Sequence, residues 1–210
     1  MALALAPITL NAFNAPTFAV GATRANVAMT TLTPGGKAFA EKLPGITGPF
    51  GYFDPLDLTP DTAEEVMLFR EAELTHGRVA MMAALGYLVQ ENFHPIFNIP
   101  DMQDLPVIRQ LDVTLSFETG QLAGISLLMA IFFSEIYRAR TGWMEPEVEM
   151  RSLRENYTPG ELNFDPMGLL PKDEAGILSM KNKELNNGRL AMIGVAGMTV
   201  QELVTGDKLF

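Results

Sequence analysis

The sequence predicts an all-α membrane protein with three transmembrane helices, the first and third forming a crossed pseudo-two-fold pair. Three observations carry that prediction. Apolar residues make up 48% of the 210-residue chain and charged residues 19%, below the roughly 25% usual for soluble domains. Long runs carry no charge at all: Val79 to Gln90, and the sixteen residues from Thr119 to Ser134. Two separate stretches also repeat one another at a fixed displacement of 111. Composition excludes several function classes. A net charge of -10 argues against a phosphate backbone, so no nucleic-acid partner is expected. Cysteine is absent and there are two histidines, which removes disulfide scaffolds, thiolate metal sites and thiol nucleophiles.

Residues 1–40 contain no acid, only Arg24 and Lys37 as bases, and many Ala, Thr, Asn and Pro. They read as an organelle transit segment or a flexible tail. A Pro/Gly-rich loop from Pro44 to Pro60 leads into the domain, 41–210. Helix one is expected at about 62–93, stopped by Pro95. A loop to about Asp112 follows, then helix two at about 116–140. A long polar loop with Pro146, Pro159, Pro166 and Pro171 precedes helix three at about 177–204.

None of the three offers eighteen uninterrupted apolar residues. A soluble three-helix bundle would account for that, but Leu122 to Phe133 is apolar all round, which a small soluble bundle seldom tolerates. The loop from Arg138 to Lys183 carries seven Lys or Arg, whereas the loop from Asn92 to Glu118 carries only Arg109. For three spans, this places the long loop and the N-terminus on the positive side.

The repeat is extensive. Phe53, Asp54, Pro55, Leu58 and Pro60 recur at Phe164, Asp165, Pro166, Leu169 and Pro171. From Glu73 to Glu91 and Glu184 to Glu202, ten of nineteen positions are identical, among them Glu73/Glu184, Gly77/Gly188, Arg78/Arg189 and Gln90/Gln201. With one span between them, helices one and three run in the same direction, so an axis along the membrane normal can relate them. Glu73 and Arg78 lie about 140° apart around one helix and cannot meet on a single face. An unpaired charge near mid-membrane costs roughly 2.5–3.5 kcal/mol on insertion scales, so four of them need partners. Cross-pairing supplies these: Glu73 with Arg189 and Glu184 with Arg78, the Gly and Ala faces allowing close approach.

Three residues after each Glu stands a polar residue, His76 in one copy and Asn187 in the other. Paired Glu and His at that spacing also occur in bundle di-iron sites, but Asn187 leaves only half of one. These donors suit a metal mostly satisfied by a macrocycle that needs one axial ligand, such as the magnesium of a chlorophyll.

The segments Glu73 to Met81 (ELTHGRVAM) and Glu184 to Met192 (ELNNGRLAM), each downstream of a Phe-Asp-Pro loop, resemble the light-harvesting chlorophyll-binding family of plastid antennae. The loops GYFDPLDL and NFDPMGLLP are most similar to its fucoxanthin chlorophyll a/c branch, and the runs VAMMAALGYLVQENFHP and LRENYTPGELNFDPMGL to stress-related, photoprotective members. The resemblance implies that Glu73, His76, Glu184, Asn187, Gln201 and Glu135 are axial ligands to chlorophyll magnesium, with Arg78 and Arg189 as ion-pair partners and Gln121 a weaker candidate. Gln90 joins them as the repeat mate of Gln201. The Phe-Asp-Pro loops, with Asp54 and Asp165, would lie near the ends of two carotenoids. The implied cofactors are chlorophyll a, chlorophyll c and fucoxanthin or a related carotenoid. Thylakoid lipids, a photosystem core and neighbouring antenna subunits are the implied partners, in the plastid thylakoid membrane.

Two departures limit the transfer. Phe210 follows helix three too soon for the long amphipathic C-terminal helix of plant members, and Leu127 stands where those members have a Gln in the middle helix. Two other readings remain open. Glu91 and Glu202, at matching helix ends near Asp101, Asp104, Asp112 and Glu118, would face the lumen and respond to its acidification, or act simply as solvated acids. A membrane metalloprotein built on Glu73 and His76 is the alternative to a non-enzymatic pigment scaffold.

Overall fold

A computed structural model describes residues 35–91, 105–145 and 152–209. Among them the regular structure is helical: α1 (Gly36–Ala40), α2 (Ala63–Gln90), α3 (Val107–Leu115), α4 (Glu118–Gly142) and α5 (Glu174–Thr205). One isolated antiparallel bridge, between Trp143 and Leu153, closes the loop after α4.

Local chemistry explains most of the boundaries. Thr62 accepts from the Glu65 amide and its hydroxyl donates to the Glu65 carboxylate at 3.0 Å, a reciprocal cap that starts α2 where it was expected. Asp173 accepts from the Gly176 amide at 2.7 Å, so α5 begins at Glu174, a turn ahead of the expected Ile177. Gly206 ends it in the left-handed region at φ 73. The expected end of helix one, 92–93, lies outside the described residues, as do residues 1–34 of the N-terminal segment and the acids Asp101 and Asp104. Gly36–Ala40, expected in that segment, forms α1 and is tied to the start of α2 by the Gly36 amide on the Asp61 carbonyl at 2.8 Å.

The main correction lies between α2 and α4. Part of the expected loop is α3, a helix without a cap of its own: Pro106 precedes it, and no side chain nearby accepts from its first amides. The acceptor comes from α5, where the Glu202 carboxylate takes the Val107 and Ile108 amides at 3.3 and 2.9 Å. Its repeat mate Glu91 takes the Leu209 amide at 2.7 Å. Each glutamate is about 1% exposed and holds the segment that follows the other long helix. This corrects the reading of both as solvated acids.

The helix pair α2 and α5 is the packed centre. Gly77 and Gly188 face one another so closely that a Cβ on either would sit 3.1 or 3.0 Å from the other's Cα. Leu74 and its repeat mate Leu185 are buried beside them. Among the described residues, α4 alone is long and apolar enough to cross a membrane by composition.

Candidate functional site

The crossed charges lie around the glycine contact. Arg189 Nε donates to Glu73 Oε1 at 2.7 Å, and Arg78 Nε donates to Glu184 Oε1 at 2.7 Å. The cross-pairing expected from the repeat is thus formed in both directions. Each arginine then reaches one step further, to a loop carbonyl: Arg189 Nη1 to Gly45 at 2.6 Å and Arg78 Nη2 to Gly160 at 2.8 Å. Both glycines have positive φ, 99 and 82, and a Cβ there would press within 2.7 Å of Leu185 or 2.6 Å of Leu74. Only glycine lets these carbonyls approach without strain.

The glycine amides are held in turn. Asn182 accepts from the Gly45 amide at 2.6 Å, and Glu71 accepts from the Gly160 amide at 2.8 Å. Glu71 and Asn182 are also 111 apart. The repeat therefore extends from residue types to a clamp of helix, loop and arginine, built twice. Sequence reasoning missed these four residues. Gly45 and Gly160 fall off the displacement, and Glu71 and Asn182 fit it but differ in identity.

The two carboxylates are not equivalent. Glu184 Oε2 has no protein partner among the described residues, whereas Glu73 Oε2 accepts from Arg70 Nη1 at 2.9 Å. The repeat mate of Arg70, Lys181, pairs with Glu161 instead, at 2.7 Å. Glu135 on α4 resembles Glu184: Arg138, one turn on, donates twice to its Oε2, at 2.7 and 3.1 Å. Sequence reasoning did not pair these two, although their spacing of three on one helix was a signal for it.

His76 Nδ1 lies 2.7 Å from the Ala72 carbonyl. A carbonyl only accepts, so Nδ1 carries the proton, and Nε2 of the neutral ring is left with a bare lone pair. His76 and Asn187 are exposed at equivalent places on α2 and α5. Gln90 and Gln201 are exposed near the far ends of those helices, and Gln121 is exposed on α4, donating to the Leu115 carbonyl at 3.0 Å. The candidates thus form separate single-donor positions. Among the described residues no three His, Cys, Asp or Glu side chains converge as a metal site.

Such donors fit magnesium in a macrocycle. Arginine pairing cancels the charge of Glu184 and Glu135 while leaving each a free oxygen, and His76 offers one nitrogen. A hard ion lacking one axial ligand needs one such atom.

The two Phe-Asp-Pro loops repeat the same turn. Asp54 accepts from the Leu58 and Thr59 amides, and Asp165 from the Leu169 and Leu170 amides, all at 3.0 Å. Asp57 and Gly168, again 111 apart, both take positive φ, 53 and 64. The Thr59 hydroxyl and the Leu58 amide hold Asp54 below the usual carboxylate range, and the Leu170 and Leu169 amides do the same for Asp165. Phe53, Leu56, Phe164 and Met167 stay exposed on these turns.

Residues 39–203 match the family described as chlorophyll A-B binding protein. The chain is 42% identical over 179 residues to the chloroplastic light-harvesting complex stress-related protein 1 of Chlamydomonas reinhardtii, covering 82% of this chain and 69% of that one. It is also 42% identical over 174 residues to the chloroplastic fucoxanthin-chlorophyll a-c binding protein of Isochrysis galbana, with 80% of each covered. To the chloroplastic chlorophyll a-b binding protein 4 of Arabidopsis thaliana it is 33% identical over 176 residues, covering 75% of this chain and 62% of that one.

Proposed function

This chain belongs to the chlorophyll A-B binding protein family, and from that premise we propose how it works as a light-harvesting antenna of the plastid thylakoid membrane. Chlorophylls and carotenoid are the bound groups, and they supply light absorption and excitation transfer. The chain's own task is to hold donor atoms at fixed separations. Glu184, Glu73 and Glu135 provide carboxylate oxygens, His76 a ring nitrogen, and Asn187, Gln201, Gln90 and Gln121 amide oxygens. Arg78 and Arg189 keep the two central carboxylates neutral in sum, which lets α2 and α5 lie in the membrane beside α4 as three spans. The observation that carries this reading is the pair of 2.7 Å exchanges across the Gly77–Gly188 contact.

Chlorophyll c and fucoxanthin as the accessory pigments are favoured by the likeness to the Isochrysis galbana protein. A photosystem core and neighbouring antenna subunits are the partners we propose for onward transfer, without enzymatic turnover. The alternative, a metalloprotein built on Glu73 and His76, gains no support: no third ligating side chain joins them among the described residues.

The test is the visible absorption and pigment content of the purified protein. Glu184→Leu and His76→Leu are each expected to remove one chlorophyll. A colourless native preparation, or full pigment content in both variants, overturns the reading. A dissipative role is favoured by the stress-related relatives. Fluorescence lifetimes at neutral and acid pH test it, and a lifetime that does not shorten in acid rejects it.

A further inference from the structure

Glu71 is 3% exposed, yet none of the pigment-ligand positions needs it as a donor. A buried carboxylate without partners would cost several kcal/mol, so its contacts are obligatory for the fold. They are unusually wide-ranging. Oε2 accepts from the Gly160 amide at 2.8 Å and from the Tyr157 hydroxyl at 3.0 Å. Oε1 faces Arg138 Nη1 at 3.5 Å, and the same nitrogen donates to Thr75 at 3.0 Å. Burial first, and then the neighbouring Glu71 carboxylate, pushes the Tyr157 phenol up to about 12, so it remains a proton donor to Glu71 throughout the physiological range.

Followed outward, the contacts form one chain of bonds. Glu135 on α4 is held by Arg138, Arg138 meets Glu71 on α2, Glu71 holds the Gly160 amide, the Gly160 carbonyl holds Arg78, and Arg78 holds Glu184 on α5. The path from α4 to α5 passes through this one carboxylate on α2. The repeat shows that the arrangement is specific to this half. Asn182, the mate of Glu71, performs the loop-holding task on Gly45 with a neutral amide, and no middle-helix arginine is bonded to it among the described residues. Loop-holding therefore needs no charge; the charge at position 71 serves Arg138.

We propose that Glu71 is a positioning residue that fixes the Glu135 donor on α4 relative to the Glu184 donor on α5, and so sets the coupling between the pigments at those two sites. The proposal rests on the ligand reading given above. Glu71 has two separable functions: its negative charge orients Arg138 and hence Glu135, while its acceptor oxygen orients Gly160, Arg78 and hence Glu184.

Glu71→Gln separates them, because the amide oxygen still accepts from Gly160 while the charge facing Arg138 is gone. The measurement is visible circular dichroism and pigment stoichiometry of the purified pigmented protein. It is made on the unmodified chain, Glu135→Leu, Glu184→Leu, Glu71→Gln, and Glu71→Gln combined with each Leu variant. The difference between a background and its Glu135→Leu or Glu184→Leu derivative isolates the signal of one site. The expected result in the Glu71→Gln background is an altered Glu135-dependent signal, an unaltered Glu184-dependent signal and an unchanged chlorophyll count. Identical signals in both backgrounds overturn the positioning role while leaving the ligands standing. If neither Leu variant removes a chlorophyll, the ligand reading falls and the positioning role falls with it. Should Glu71→Gln yield no pigmented protein, Tyr157→Phe is the second variant. It takes one hydrogen bond from the same carboxylate, touches no proposed ligand, and is expected to shift the Glu184-dependent signal. No shift there overturns the proposal.

Discussion

The α2–α5 pair and α4 divide the requirements of a membrane protein in opposite ways. The pair carries the charges, fails a simple test of apolarity, and is held by protein: backbone against backbone at Gly77 and Gly188, with two arginine–glutamate exchanges on either side. Helix α4 passes the apolarity test, yet only Gly120 and Gly142 are buried within it. Large side chains such as Leu127, Ile131 and Phe133 stay open along its length. Its polar links to α2 run through Arg138. Hydrophobicity thus marks the helix that the protein itself leaves uncovered, while the least apolar helices are those the protein packs against itself. Cohesion here comes from close glycine contact and internally paired charge, since in a bilayer apolar surface alone gives helices little reason to associate.

Four measurements break or sharpen that contrast. The largest effect is expected from Gly77→Leu: with Gly188 backbone 3.1 Å from the new Cβ, neither side can yield. The cost should reach or pass the top of the roughly 1–3 kcal/mol typical of overpacking. Yield and thermal midpoint of the pigmented protein report it, and a wild-type midpoint would show the crossing is not the centre of cohesion.

Second come the arginines. Arg78→Leu leaves Glu184 with no cation, a loss of about 2.5–3.5 kcal/mol on insertion scales, whereas Arg189→Leu leaves Glu73 still paired with Arg70 at 2.9 Å. Thermal melts should rank Arg78→Leu well below Arg189→Leu; equal losses would show the two halves to be equivalent after all.

Third is acid. Asp54 and Asp165 have depressed folded-state pKa values, so the stability they add is complete above the unfolded value of about 4 and is lost as pH falls toward the folded one. Proteolysis of the two Phe-Asp-Pro loops should therefore accelerate together below about pH 4. Acceleration of one loop alone would separate the two copies. The smallest effect belongs to α4. Ile131→Ala, on a half-exposed site, is expected to move stability by no more than about 0.5 kcal/mol, and Leu185→Ala, at the buried crossing, by about 2–5 kcal/mol. A reversal of that order in unfolding experiments would transfer the packing role to α4.

The same contrast separates what was legible in the chain from what was not. Identity at a fixed displacement exposed the pair, the exchange of Glu73 with Arg189 and of Glu184 with Arg78, and the twin turns at Asp54 and Asp165, because each depends on the same residue recurring in the same place. Helix α3 was invisible because its cap, Glu202, lies on a distant helix. Glu71 and Asn182 escaped because they share a position and a task without sharing an identity. The sequence by itself determined the three long helices, the repeat and which charges had to be cancelled, since those follow from periodicity and the cost of a bare ion. Only the tertiary structure decided which carboxylates keep a free oxygen, which loop carbonyls close over the arginines, and that one buried glutamate stands in a chain of bonds running from α4 to α5. Those are matters of distance between residues far apart in the chain, and no local pattern encodes them.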